Sequence, residues 1–124
     1  MFDFHSETTL LALHPTAART TTTNGSGIDV KDYIGHGTVL LDAAAGTGTT
    51  PTNDVKIQDS ADNSAFADLS PTLAFAQLTT VASQQKIAIN FDKVRRYIRM
   101  VATIAGTTPS YTFSVTALGR KQVV

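Results

Sequence analysis

Alternation of apolar and polar positions with a period of two dominates the second half of the chain. In "SYTFSVTAL", Ser110 to Leu118, the residues Tyr111, Phe113, Val115 and Ala117 share one face and Thr112, Ser114 and Thr116 the other, so the stretch predicts a strand with one buried and one wet side. "FDKVRRYIRMVATI", Phe91 to Ile104, sorts the same way. Ile98, Met100, Ala102 and Ile104 fall on one side, and Arg95, Tyr97, Arg99, Val101 and Thr103 on the other. Wound as a helix, it would smear its apolar residues around the circumference and leave the arginines without a common face. Arg96 falls at the start of the inner face, where a long stem can snorkel to the edge. Thr38–Asp42, Asp54–Asp59, Ala74–Thr79 and Lys86–Phe91 join Arg96–Ile104 and Ser110–Leu118 as expected strands. Between them "AAAGTGTTPTN", "SADNSA", "LSP" and "AGTTP" supply Gly, Pro, Asn and Asp where the chain is expected to reverse. Short strands at this spacing predict an all-β fold, a β-sandwich of jelly-roll-like kind, over residues 28–120.

The first 27 residues read differently. "ARTTTTNGSG" is polar and rich in threonine and glycine, which predicts an extended arm over residues 1–27 rather than a packed element. Yet Phe2, Phe4, Leu10, Leu11 and Leu13 precede it, and so many large apolar groups need somewhere to dock. Two outcomes are open: the arm adds a strand to its own sandwich, or it docks on a neighbour. Residues 121–124 read as a short tail.

Composition changes the picture in three ways. The 124 residues include no Cys and no Trp, so one domain is expected, large enough to fold without disulfides or metal. Formal net charge is zero, which argues against nucleic acid as a partner, because phosphate binding needs an excess of cations. The zero hides an asymmetry, since the acids concentrate between Asp29 and Asp68 and the cations between Lys86 and Lys121. Such a split suits pairing within one chain or between copies. The start, "MFDFHSETTLLALHP", has acids where a leader peptide needs cations, and its apolar run is too short for a membrane span. A cytoplasmic protein, or one that leaves only inside a larger particle, is expected.

Candidate chemistry is thin. His5, His14 and His36 are scattered, and solvated loop histidines explain them better than a zinc site. "GTGTT" lacks the Lys-Ser/Thr ending of a phosphate loop and reads as a hairpin loop. In "DSADNSAFAD" the acids could hold calcium, but the spacing and the missing closing Glu favour a β-turn at Asp62 and Asn63. No enzyme and no cofactor are expected.

In order along residues 28 to 119, "GIDVKDYIGHGTVLLD", "NDVKIQDSADNSAFADL" and "DKVRRYIRMVATIAGTTPSYTFSVTALG" resemble small structural proteins of tailed-bacteriophage virions, of the kind that decorate or cement the head. The resemblance implies a non-enzymatic β-sandwich that binds the major capsid protein, forms homo-oligomers such as dimers or trimers, and resides in the virion without direct contact with nucleic acid or membrane. Within it Phe2, Phe4, Leu10, Leu11, Leu13, Arg95, Tyr97 and Arg99 are the expected partner-binding residues. Arg95 and Arg99 would meet carboxylates of the same or a neighbouring subunit, with Asp59, Asp62 and Asp68 as candidates, and their stems would lie over Tyr97. Two alternatives stay open: a tail or head-tail connector component, and a carbohydrate-binding adsorption module. "SADNSAF" is similar to a hairpin of galactose-binding-like modules, with Ser64 where Gly is expected.

Overall fold

A computed structural model describes residues 8–121. The described residues form eight strands: β1 (Thr8–Arg19), β2 (Thr23–Asn24), β3 (Ile28–Asp29), β4 (Tyr33–Ala43), β5 (Thr47–Ser60), β6 (Ala67–Ala74), β7 (Ser83–Asn90) and β8 (Tyr97–Lys121). There is no helix among the described residues. Every pairing among these strands is antiparallel.

β8 organises the molecule. Its second half lies between β1 and β4, with β7 beyond β4, and its first half lies between β5 and the short strands β2 and β3, with β6 beyond β5. The two sheets thus share one strand and fold over a common core, the jelly-roll-like sandwich that the alternation predicts. Ile98, Met100 and Ala102 of the first half and Tyr111, Phe113, Val115 and Ala117 of the second are essentially inaccessible. They pack with Val39 and Leu41 of β4, Val55 and Ile57 of β5, and Ile89 of β7. Burying an aliphatic or aromatic side chain of this size contributes roughly 1.5–3 kcal/mol. Val101, expected on the wet side, is buried, and it pairs with Asn24 of β2.

Turn chemistry is used in two places where the chain does not reverse. "AGTTP" separates two expected strands, but β8 runs straight through it and bends. The bend is a corner built jointly with β5: Gly106 (φ 118°) and Thr108 (φ 46°) face Gly48 (φ 115°) and Thr50 (φ 47°). A Cβ on Gly106 would lie 2.9 Å from Thr50 O and from Pro51 Cα, so two backbones cross there in near contact. "LSP" lies within β6, where Ile57 pairs Leu73 and Gln58 pairs Asp68, so residues 69–72 bulge out of the ladder. Such a bulge with Pro71 fits an edge strand. The strand expected over Ala74–Thr79 is displaced to Ala67–Ala74. Phe75 and Leu78, three apart, then anchor an irregular segment by backbone bonds to Val55 and Asn53.

The expected arm is structured from Thr8 onward. Thr8–Arg19 forms β1 and pairs with β8 from Arg120 back to Tyr111. A register shift between Ala12 and His14 lets two successive residues, Leu13 and His14, both turn inward. Phe2, Phe4 and His5 lie outside the described residues. Lys121, first of the expected tail, still pairs with Tyr33.

His14 corrects the expectation of solvated histidines. Its ring is buried and stacks on Phe113 with centroids 4.3 Å apart. Nδ1 donates to Phe113 O at 3.1 Å, and Nε2 accepts from Arg19 Nε at 3.0 Å, an arrangement that needs the neutral ring. Burial, then the Arg19 charge, hold its pKa below 6.5, against an opposing contribution from the Phe113 carbonyl. The unfolded chain therefore takes up a proton near pH 6.5 that the folded chain refuses until lower pH. Stability from this residue is complete above that pH and is lost as pH falls. Asp29, Asp62 and Asp68 are also shifted downward, but from 3.8, so they act in a more acidic window. Melting curves between pH 7.5 and 5 should fall with acidification, and His14→Gln should flatten that slope. An unchanged slope in the variant would remove His14 as its source.

Candidate functional site

Arg95 and Arg96 lie just before β8 and Arg99 near its start, and the structure gives each its own partner. Arg95 grips Asp59 at the end of β5: Nε and Nη2 donate to Oδ1 at 3.1 and 2.9 Å, Nη2 also donates to Asp59 O, and the Arg95 backbone N–H donates to Oδ2 at 3.0 Å. The Asp59 side chain is 9% exposed and that of Arg95 46%, so the acid is enclosed and the fork faces water. Arg96 pairs with Asp29 of β3 at 2.9 Å and lies over Tyr97, 5.1 Å from its ring centre. Over Tyr97, where the stems of Arg95 and Arg99 were expected, lies the guanidinium of Arg96. Among the described residues Arg99 meets no carboxylate. Its Nε and Nη2 donate to Gln58 Oε1 at 3.0 and 2.8 Å, and its guanidinium lies 4.3 Å from the centre of the Phe66 ring.

These contacts form a polar ladder on the outer face of the second sheet. In register, Asp68 of β6, Gln58 of β5 and Arg99 of β8 stand side by side, and Lys56 bridges to Asp68 at 2.9 Å. Asp62 is turned to another task. Its carboxylate accepts from the Ser60 hydroxyl and from the backbone N–H groups of Ser64 and Ala65, which with Asn63 at φ 61° closes the expected turn. These hydrogen bonds, that from Ala65 first, hold its pKa below the usual carboxylate value. No group of three or more His, Cys, Asp or Glu converges among the described residues in a way that could hold a metal ion.

Two concave features lie beside this face. A cavity of about 480 Å³ occupies the seam between β6 and β7, the outermost strands of the two sheets. Leu69, Leu73, Ile89 and Val94 line it, with Lys93 and Arg95 at its rim. One end of the seam is fastened by Gln85, whose amide both accepts from Ala76 N–H and donates to Ala76 O. A hollow of about 550 Å³ lies on the outer face of the first sheet, between Thr8, Leu118, Thr38, His36, Arg120 and Ala88. Ala88 borders both.

The apolar residues expected to bind a partner separate by depth. Leu10 is 67% exposed, Leu11 is half-buried against the core, and Leu13, 2% exposed, is taken up by the chain's own core and is not available to a neighbour. Leu40 and Val81 add exposed apolar positions. Gln58, Phe66 and Asp29 escaped notice as partners of the arginines. The alternation of "DVKIQDS" already places Gln58 outward, but only the β5–β8 register brings it opposite Arg99.

No family model matches the sequence, and neither does any curated protein. Solved structures are similar in fold. The SPBc2 prophage-derived protein YomS matches at 10% identity with a TM-score of 0.52, over 90% of this chain and 91% of that one. XepA, an exported protein of PBSX, matches at 15% identity and TM-score 0.57 over 94% of this chain and 38% of that one. The VP2 subviral particle of infectious bursal disease virus matches at 9% identity and TM-score 0.60, over 92% of this chain and 32% of that one. The chain thus spans nearly all of YomS and about a third of the other two.

Proposed function

We propose that the chain is a non-enzymatic structural protein of a phage virion, which decorates or cements the capsid by binding major capsid subunits and so stabilises the head. The observation that carries this reading is the fold: it is similar to a prophage-derived protein along nearly the full length of both chains, and to part of the particle-forming VP2. Arg95 and Arg96, paired with Asp59 and Asp29, support the exclusion of nucleic acid as a partner, since paired cations displace few counterions. Exposed Leu10 and Leu40 on the first sheet, with the half-exposed fork of Arg95, offer a surface for capsid subunits and for dimers or trimers of the chain. The test is to purify virions of the phage that encodes the chain and to locate it by tagging and electron cryomicroscopy. Many copies per head in lattice positions are expected. A ring of copies at the neck or tail, or virions lacking the chain, would overturn the proposal.

A further inference from the structure

We propose that a pocket at Arg19, where β1 meets the segment that begins with β2, binds a small carboxylate anion. The pocket holds about 270 Å³ and lies between β1, from Ala12 to Arg19, and a facing wall of Thr23, Asn24, Gly25 and Ser26. Gly25 lets the two walls close on each other. Its N–H donates to Met100 O at 2.8 Å, and a Cβ there would lie 2.7 Å from Leu13 O. β1 pairs with the second half of β8 and β2 with the first, so an occupant of this pocket touches both sheets.

Charge and orientation select the occupant. Arg95 and Arg96 each hold an acid, whereas half-buried Arg19 pairs with no carboxylate among the described residues, and none lines its pocket. A half-buried cation gives up hydration that an acid ordinarily restores. Here the partner is the neutral His14 ring, which accepts from Arg19 Nε and leaves the full positive charge for a ligand. His14 is 2% exposed and stacked on Phe113, so the atom that holds Nε is itself fixed. That leaves Nη1 and Nη2 as donors for an occupant of the pocket that Arg19 lines. Their parallel N–H groups match the two oxygens of a carboxylate. Exposed Asn24 and Ser26 on the facing wall add an amide and a hydroxyl for a second polar group. At about 270 Å³ the pocket falls below the roughly 300–1,000 Å³ of sites for drug-sized molecules, which selects an acid on a short stem.

Succinate is the probe, titrated into the full chain at constant ionic strength and about pH 7.5, where the His14 ring is neutral. Saturable binding in the range of about 1–10 mM is expected, with nuclear magnetic resonance shifts at the Arg19 Nε–H and the amides of Gly25 and Ser26. Arg19→Gln should weaken binding more than about tenfold, and Arg19→Lys, which keeps the charge without the fork, several-fold. His14→Gln keeps an acceptor and should bind like the wild type, whereas His14→Leu should bind several-fold more weakly. Equal binding by His14→Leu would overturn the part given to the ring in setting the fork. Arg19→Gln that binds as tightly as the wild type would overturn the site itself. The wild-type shifts decide the matter even where a variant fails to fold: none at Gly25 and Ser26 up to about 100 mM succinate, or shifts spread equally to Lys86 and Lys93, would overturn the proposal.

Discussion

Gly106→Ala should lower the melting temperature by about 10–15 °C, corresponding to about 3 kcal/mol in a chain of this size. Two penalties combine at this position. A φ of 118° lies outside the left-handed region that other residues visit, and the new methyl would press on Pro51 Cα and Thr50 O, both backbone-fixed, at 2.9 Å. Gly35→Ala is the internal control. Its φ of 67° falls inside the left-handed region, and a Cβ there meets nothing within 4 Å, so the expected loss is about 1 kcal/mol. Equal losses at the two positions, measured by thermal melting, would show that the crossing of β5 and β8 does not constrain the fold.

Arg95→Ala should cost about 2–3 kcal/mol, and Arg99→Ala less than about 1 kcal/mol. Removing Arg95 leaves the Asp59 carboxylate enclosed with one backbone N–H, from residue 95 itself, in place of a fork. The value sits below that for a fully buried pair because Arg95 is half-exposed and water can replace part of it. Arg99 loses a neutral acceptor and an exposed ring contact. Denaturant titrations of both variants give the comparison, and losses within about 0.5 kcal/mol of each other would contradict the different burial of the two partners. Arg95 thus stabilises the chain itself, before any role on an assembly surface.

Alternation made the core legible. Tyr111, Phe113, Val115 and Ala117, and Ile98, Met100, Ala102 and Ile104, are all buried because strand period and a two-sheet core impose the same parity. The corner at Gly106 was not legible, because the residues that permit φ above zero in a turn permit it equally in a bend, and only the facing Gly48 and Thr50 distinguish the two. Nor was β6. Its anchors Phe75 and Leu78 are spaced by three, and "AFAQLT" mimics alternation. At the arginines the sequence carried the side of the sheet but not the register, and register decides that Arg99 stands against Gln58 rather than an acid. His14 was obscured because the inward turn of two successive residues depends on a bulge that no local signal marks.

The shared strand sets a timetable for synthesis. β8 is the central member of both sheets and is made after every other described strand, so β1, β4 and β5 lack their β8 partner until residues 97–121 have left the ribosome. Each nascent chain therefore emerges with unpaired strand edges and its apolar faces uncovered, and both sheets close in one late, concerted step.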